Sequence, residues 1–300
     1  MTDRERAIST GDQGESEPLL VLRHEGWVEL VLNRPTKGNS LSLDLLDGLE
    51  AGLRASDRDG EVHAVLISGS PDCPDFCTGY FFEGQANRTV EEDVLHTEAV
   101  LRRIQTIFDM HKPVVAKVRG RCIAGGTDLA FMCDMVLASE GATFGFPPHR
   151  DLGTAPANQW LYHCGPQWAK RLLFTGDSIA APDAARIGLI LKALPDDALD
   201  GESEGLMQRL SRIDPALLAT HKRAVNLGME LMGARTAQRL AAELDVRAHW
   251  SPSALDVQSR AAKGGPLNAE LRQERAEKFG HGLARAGEPD QYDERGRLIE

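Results

Sequence analysis

Residues 112–153, KPVVAKVRGRCIAGGTDLAFMCDMVLASEGATFGFPPHRDLG, admit few folds. Residues 113–118 are an apolar, β-branched run that suits a buried strand. Gly120 and the segment Ile123-Ala124-Gly125-Gly126 turn the chain. Residues 129–133 are apolar at helical density, and residues 135–138 predict a further strand. Strand, glycine turn, helix start and strand in so short a span define a compact α/β unit. The glycines leave backbone N–H groups unpaired at a helix N-terminus, a place suited to an oxyanion. Asp128 falls in the first turn of that helix, so a carboxylate lies beside the candidate oxyanion site.

The segments on either side predict more of the same alternation. Residues 19–23 and 27–32 read as strands joined by a turn at His24-Glu25-Gly26. Ser42 is placed to cap a helix with Leu43, Leu45, Leu46, Leu49 and Leu53 on its apolar side. Residues 62–68 are an apolar strand, followed by a loop over 69–79. Val94, Leu95, Leu101, Ile104 and Phe108 recur at helical spacing within residues 91–108. Helices over 158–164 and 167–174 are interrupted at Gly165-Pro166, and a short helix over 181–187 ends at Gly188. A last strand covers 189–194. From 199 to 275 the pattern is almost wholly helical. These readings divide the chain into a disordered tail (1–17), an α/β core (18–195), a helical subdomain (196–280) and a polar tail expected to fray (281–300).

Composition removes several function classes. The chain has 300 residues and a formal net charge of -11, which disfavours nucleic acid or an anionic membrane as the main partner. No apolar run is long enough to span a bilayer, and the polar N-terminus lacks the apolar centre of a signal peptide, so a cytoplasmic address is expected. The five cysteines, Cys73, Cys77, Cys122, Cys133 and Cys164, show no zinc-ligand spacing. Cys122, Cys133 and Cys164 lie among apolar residues and read as small buried hydrophobes. Gly120, Gly125 and Gly126 do not make the GxGxxG of a dinucleotide site.

Several motifs, in order, resemble the crotonase superfamily, the enoyl-CoA hydratase/isomerase family. They are Leu32-Asn33-Arg34-Pro35 with Asn39-Ser40-Leu41, and Phe76-Cys77-Thr78-Gly79-Tyr80. Lys112-Pro113-Val114-Val115-Ala116 follows, with Ala124-Gly125-Gly126-Thr127-Asp128-Leu129-Ala130. The last is Leu173-Phe174-Thr175-Gly176-Asp177 running to Leu189. The match covers about residues 20 to 195; beyond that the likeness lies only in being helical. The resemblance implies a crotonase-like α/β spiral of ββα units with a C-terminal helical subdomain, assembled as a homotrimer or a dimer of trimers. It implies an acyl-CoA thioester ligand, fatty-acid-type chemistry, and no metal or organic cofactor, because coenzyme A enters with the substrate. Its oxyanion hole carries over to the backbone amides of Tyr80 and Gly125. Each such donor is worth roughly 3 to 4 kcal/mol where charge develops in the transition state.

The proton-moving groups match the family less well. Hydratases of the family use two glutamates. The first falls on Asp128, one methylene shorter. For the second, two registers compete. Counting forward from Asp128 reaches Pro148; counting back from Leu152-Gly153-Thr154 reaches His149. Pro148 cannot transfer a proton and His149 can, which favours Asp128 with His149 as the catalytic pair. Asp151 is placed to orient His149 or to replace it. As ordinary structural features, Asp128 stabilises a helix N-terminus and His149 is a loop histidine. Phe81 and Phe82 are candidate acyl-pocket walls. Arg34, Lys37 and Arg88 are candidate partners for the phosphates of coenzyme A. Glu83, Glu91, Glu92 and His96 read as a solvated face from which one residue could dip into the pocket. Hydration of a 2-enoyl-CoA is the leading activity. Isomerisation, hydrolysis of a thioester or a 1,3-diketone, and acyl-CoA binding by an impaired site are the alternatives.

Overall fold

Alternation of side chains along the strands builds this molecule around one sheet with two packed faces. The computed structural model describes residues 17–81, 88–264 and 269–299. Phe82, Glu83 and the expected disordered residues 1–16 lie outside them. β1 (Leu19–His24) and β2 (Trp27–Leu32) form an antiparallel hairpin closed by Gly26 at φ +79°. β2 continues in parallel with β3 (Ala64–Gly69), β4 (Val114–Val118), β6 (Met135–Ser139) and β9 (Lys192–Leu194). Val65 and Ile67 face one layer while Ala64 and Leu66 face the other, as a period of two requires.

The first layer holds three helices. α1 (Leu43–Arg58) starts at Ser42, whose hydroxyl accepts from the Leu45 amide at 3.3 Å, and it buries Leu45, Leu46, Leu49 and Leu53. Leu43, expected on that apolar side, is exposed. α2 (Val90–Asp109) opens with a capping box, Thr89 to the Glu92 amide at 3.2 Å and Glu92 back to the Thr89 amide at 2.8 Å. Its buried stripe is Val100, Leu101, Ile104, Ile107 and Phe108, so Leu95 falls on the outer face at 63% exposure. α3 (Gly125–Met132) is buried along its whole length. Thr89→Ala removes one half of the box and is expected to destabilise the protein by about 1 kcal/mol in chemical denaturation.

The other layer consists of α6 (Asp196–Leu210) and α7 (Pro215–Leu231), which place Leu199, Met207, Leu210 and Leu218 against Trp27, Ala64, Leu66, Val115 and Leu137. Lys222 of α7 is buried and donates to the carbonyls of Ile107 and Lys112 and to Asp134 Oδ2, at 2.7, 3.0 and 2.8 Å. α8 (Ala234–His249), α9 (Pro252–Gly264) and α10 (Ala269–Phe279) complete the helical region.

A second, four-stranded sheet has the order β10-β8-β7-β5. Its members are β5 (Arg121–Ile123), β7 (Thr143–Gly145), β8 (Ser178–Ala180) and β10 (Leu283–Ala284). β10 belongs to the segment expected to fray. That segment is docked instead: Leu283 and Ala284 pair with β8, Leu298 is buried, and Asp290 binds Arg171 at 2.7 Å. α4 (Trp160–Thr175) breaks at Gly165, φ 71° and ψ 173°, where the Gly-Pro pair predicts an interruption, and α5 (Ala181–Arg186) follows β8. Cys73, Cys77, Cys122 and Cys133 are buried free thiols and Cys164 is a half-buried one. No helix among the described residues is long and apolar enough to cross a membrane.

Candidate active site

Two backbone amides meet where the loop after β3 crosses the start of α3. Tyr80 bridges Leu41 in parallel register: the Leu41 amide donates to the Gly79 carbonyl at 2.8 Å, and the Phe81 amide donates to the Leu41 carbonyl at 2.9 Å. In that register the N–H of Tyr80 itself points away from Leu41. Gly125 is the first residue of α3, ahead of the helix's internal hydrogen bonds. Among the described residues neither amide has a backbone acceptor. Gly79, at φ +109°, lets the two segments touch: a Cβ there would lie 2.8 Å from Ala124 Cβ and 3.4 Å from Gly125 N. Ala124 itself sits at φ 52°, a conformation costing of order 1–3 kcal/mol, and this turn aims the Gly125 amide.

Asp128 is fully buried in the first turn of α3. Its Oδ2 lies 2.9 Å from the Tyr80 hydroxyl, and its Oδ1 accepts from the Ala157 amide at 3.3 Å. Burial raises this carboxyl to about 8; the two hydrogen bonds oppose that rise and the charge of Asp245 adds to it. Tyr80 is likewise raised well above the ordinary phenol, first by burial and then by the Asp128 charge.

The Tyr80 ring borders a cavity of about 190 Å³. Leu41, Leu46, Phe81, Val100, Ile123, Phe146 and Leu152 form its apolar walls. Asp128 does not line it; the carboxylate lies behind the Tyr80 hydroxyl, which does. Pro147 and Pro148 line the far wall, and His149 does not. Residues Pro147–Arg150 form a 3-10 turn that points the His149 ring edge-on at Phe146, centroids 4.8 Å apart. Burial there lowers the imidazole to about 4. The register favoured from the sequence therefore differs from the arrangement in space, where Pro148 holds the cavity position. Nor does Asp151 orient His149: it pairs with Arg275 at 2.9 Å. Arg34 is committed to Ser40, donating to its hydroxyl at 3.3 Å, and lies over the Phe81 ring at 4.5 Å. Lys37 is exposed, and Arg88 pairs with Asp93 at 3.9 Å. Of the acidic and histidine residues expected on a solvated face, Glu91 and Glu92 are exposed, whereas His96 dips into the cavity wall.

The sequence reading missed a cluster contributed by α8. Asp245 and His249 line the cavity opposite the apolar wall. Asp245 accepts from the Thr154 amide at 2.6 Å, and its Oδ2 lies 3.5 Å from His249 Nε2. His249 Nδ1 lies 2.8 Å from Asp93 Oδ2 on α2. Burial raises Asp245 to about 6, against the pull of His249 and the Thr154 amide. Burial alone would lower His249, but Asp93 and Asp245 outweigh it, so the imidazole titrates above its ordinary value.

The sequence profile of the enoyl-CoA hydratase/isomerase family matches residues 23–262. The chain belongs to this family. Among curated relatives it is 31% identical over 218 residues to a short-chain-enoyl-CoA hydratase of Clostridium acetobutylicum, covering 70% of this chain and 82% of that one. It is 32% identical over 221 residues to a crotonyl-CoA hydratase of Syntrophomonas wolfei, covering 71% and 83%. A crystal structure of an enoyl-CoA hydratase from Mycobacterium smegmatis superposes with TM-score 0.84 at 30% identity, over 91% of this chain and 98% of that one. The crotonase-like α/β fold expected from the sequence motifs is the fold of the chain. The family match ends in α9, so α8 with Asp245 and His249 falls inside it.

Proposed function

We propose that this enzyme adds water to a 2-enoyl-CoA, with the amides of Tyr80 and Gly125 holding the thioester oxygen as the enolate forms. The observation that carries this reading is the pair of amides, Tyr80 at the wall of an apolar cavity and Gly125 against the Tyr80 ring, neither with a backbone acceptor among the described residues, in a member of the family whose relatives are named as enoyl-CoA hydratases. Asp128 acts through Tyr80. The Tyr80 hydroxyl donates to Asp128 Oδ2 at 2.9 Å, and a carboxyl raised to about 8 holds its own proton near neutral pH. Tyr80 borders the cavity, so its phenol is the group that passes a proton to the α-carbon, and the Asp128 carboxyl replaces that proton. Tyr80 thus supplies the reach that the shorter Asp128 lacks.

No metal or organic cofactor enters this scheme, and coenzyme A arrives as part of the thioester. Lys37, exposed next to Gly38, whose backbone packs on Thr78 of the cavity wall, is the cation assigned in this reading to the coenzyme A phosphates. Assembly as a homotrimer or dimer of trimers is supported by large apolar side chains left in solvent: Phe174 at 80%, Leu231 at 82% and Met232 at 67% exposure.

Incubation with crotonyl-CoA, read by mass spectrometry, tests the activity. The expected product is heavier by one water with the thioester intact, in the presence or absence of a chelator. An unchanged mass with a moved double bond would assign isomerisation, and free coenzyme A would assign hydrolysis; either result overturns the hydratase reading.

A further inference from the structure

Pro147 and Pro148 line the cavity where the turn after β7 meets it, His149 does not, and a proline cannot move a proton. A hydration needs two proton events, one at the attacking water and one at the α-carbon. Tyr80 with Asp128 accounts for the second. The first needs a base on another wall of the same cavity.

One loop ties the two candidate carboxyls to that cavity. The Ala157 amide donates to Asp128 and the Thr154 amide donates to Asp245. Three residues of chain separate these amides, so they lie no more than about 11 Å apart. Asp245 is 6% exposed yet lines the cavity, as do Gly153 and Thr154 beside it. Behind it the spacing Asp245–His249, i and i+4 on α8, puts both side chains on one helical face. Asp93 then fixes the far ring nitrogen of His249 at 2.8 Å. The chain Asp93–His249–Asp245 ends on the cavity side.

We propose that Asp245 is the base that takes the proton from the attacking water, with His249 and Asp93 as positioning residues behind it. This inference rests on the hydratase reading. As the water oxygen bonds to C3, its proton passes to Asp245. The C2–C3 π pair moves toward the thioester oxygen between the Tyr80 and Gly125 amides. The α-carbon then takes the Tyr80 proton, and Tyr80 takes one from Asp128. The product has gained one hydrogen and one hydroxyl; Asp245 later releases its proton to solvent and Asp128 regains one.

The charged and titratable groups facing this pair are Asp93 and His96 from α2, Arg88 two residues before it, Tyr80 with Asp128 behind it, and Arg275 from α10. A base must be ionised, so activity should rise with pH through about 6, the value of Asp245. The His249 cation holds Asp245 down; without it that limb moves to higher pH.

The experiment compares wild type, Asp245→Asn and His249→Gln in crotonyl-CoA hydration across pH, with butyryl-CoA binding measured by calorimetry. Asparagine keeps an acceptor for the Thr154 amide, so a purely structural Asp245 would leave kcat in place. The expected result for Asp245→Asn is a kcat lower by about 10³-fold, no acid limb, and butyryl-CoA affinity within about threefold of wild type. For His249→Gln the acid limb is expected to move upward. If wild type hydrates crotonyl-CoA and Asp245→Asn keeps its kcat and acid limb, the Asp245 role is overturned and the hydratase reading stands. If wild type adds no water to any 2-enoyl-CoA, both fall. Should Asp245→Asn fail to fold, an unmoved acid limb in His249→Gln overturns the proposal by itself.

Discussion

Alanine at Gly125 is expected to lower kcat/KM for crotonyl-CoA by about 10²-fold or more while the protein stays folded. A Cβ on Gly125 would lie 2.8 Å from Cε2 of Tyr80 and 2.9 Å from its Cδ2 and Cζ. Contacts that short do not occur, so either the ring or the first turn of α3 must move. The ring is the softer partner, because it borders the cavity instead of filling the core. Its displacement breaks the 2.9 Å contact with Asp128 and drags the Tyr80 amide out of line with that of Gly125. One added methyl group thus disturbs both halves of the oxyanion site and the proton route. Misplacement by about 1 Å is enough to cost roughly 10²-fold in an oriented reaction. Steady-state kinetics with circular dichroism decide it: a folded variant within threefold of wild type would mean that Tyr80 and Gly125 do not act together.

How much of this was legible in the chain depended on length and period. The first hairpin, α1, α2 and the parallel strands β3, β4 and β6 carry enough residues to display their periodicity, and each lies within a few residues of its expected bounds. β5, β7, β8 and β10 hold two or three residues each, too few to show a period of two, so the second sheet could not be read. Its strands are set by tertiary pairing, and that pairing also docks the tail expected to fray. The glycines of the site were legible because glycine has a local reason to be there. That the His149 ring lies against Phe146 and off the cavity was not legible, because counting along a chain cannot show which way a 3-10 turn points a ring. The turn's own hydrogen bond, the His149 amide to the Phe146 carbonyl at 3.1 Å, settles it against Phe146. Asp245 and His249 did leave a signal, an i,i+4 acid–histidine pair on one face of a predicted helix. Nothing local says which face of α8 meets a cavity whose other walls come from earlier in the chain, so the pair could not be singled out.

Asp128→Asn is expected to make the protein more stable at alkaline pH and far less active. The folded-state pKa of Asp128, about 8, stands above the ordinary carboxylate value of 3.8 because burial disfavours the charge. For a raised carboxyl the sign is fixed. Below the unfolded pKa both states are protonated and the side chain costs nothing electrostatically. As pH climbs from there to about 8, the unfolded state gives up the proton first, and stability falls progressively. Above about 8 the full difference is lost, of the order of 5 kcal/mol. Asparagine has the same shape, accepts from the Ala157 amide and can still bond the Tyr80 hydroxyl, but it does not titrate. The variant should therefore melt with the wild type at or below about pH 4 and roughly 10 °C higher near about pH 9. Its turnover should drop by about 10²- to 10³-fold, because an amide cannot recharge the Tyr80 phenol with a proton. Equal melting differences at both pH values would show that Asp128 is not held neutral, and the route through Tyr80 would go with it. The opposed signs are the expected mark of a group kept for chemistry: the carboxyl destabilises the fold in the pH range where its proton is in use.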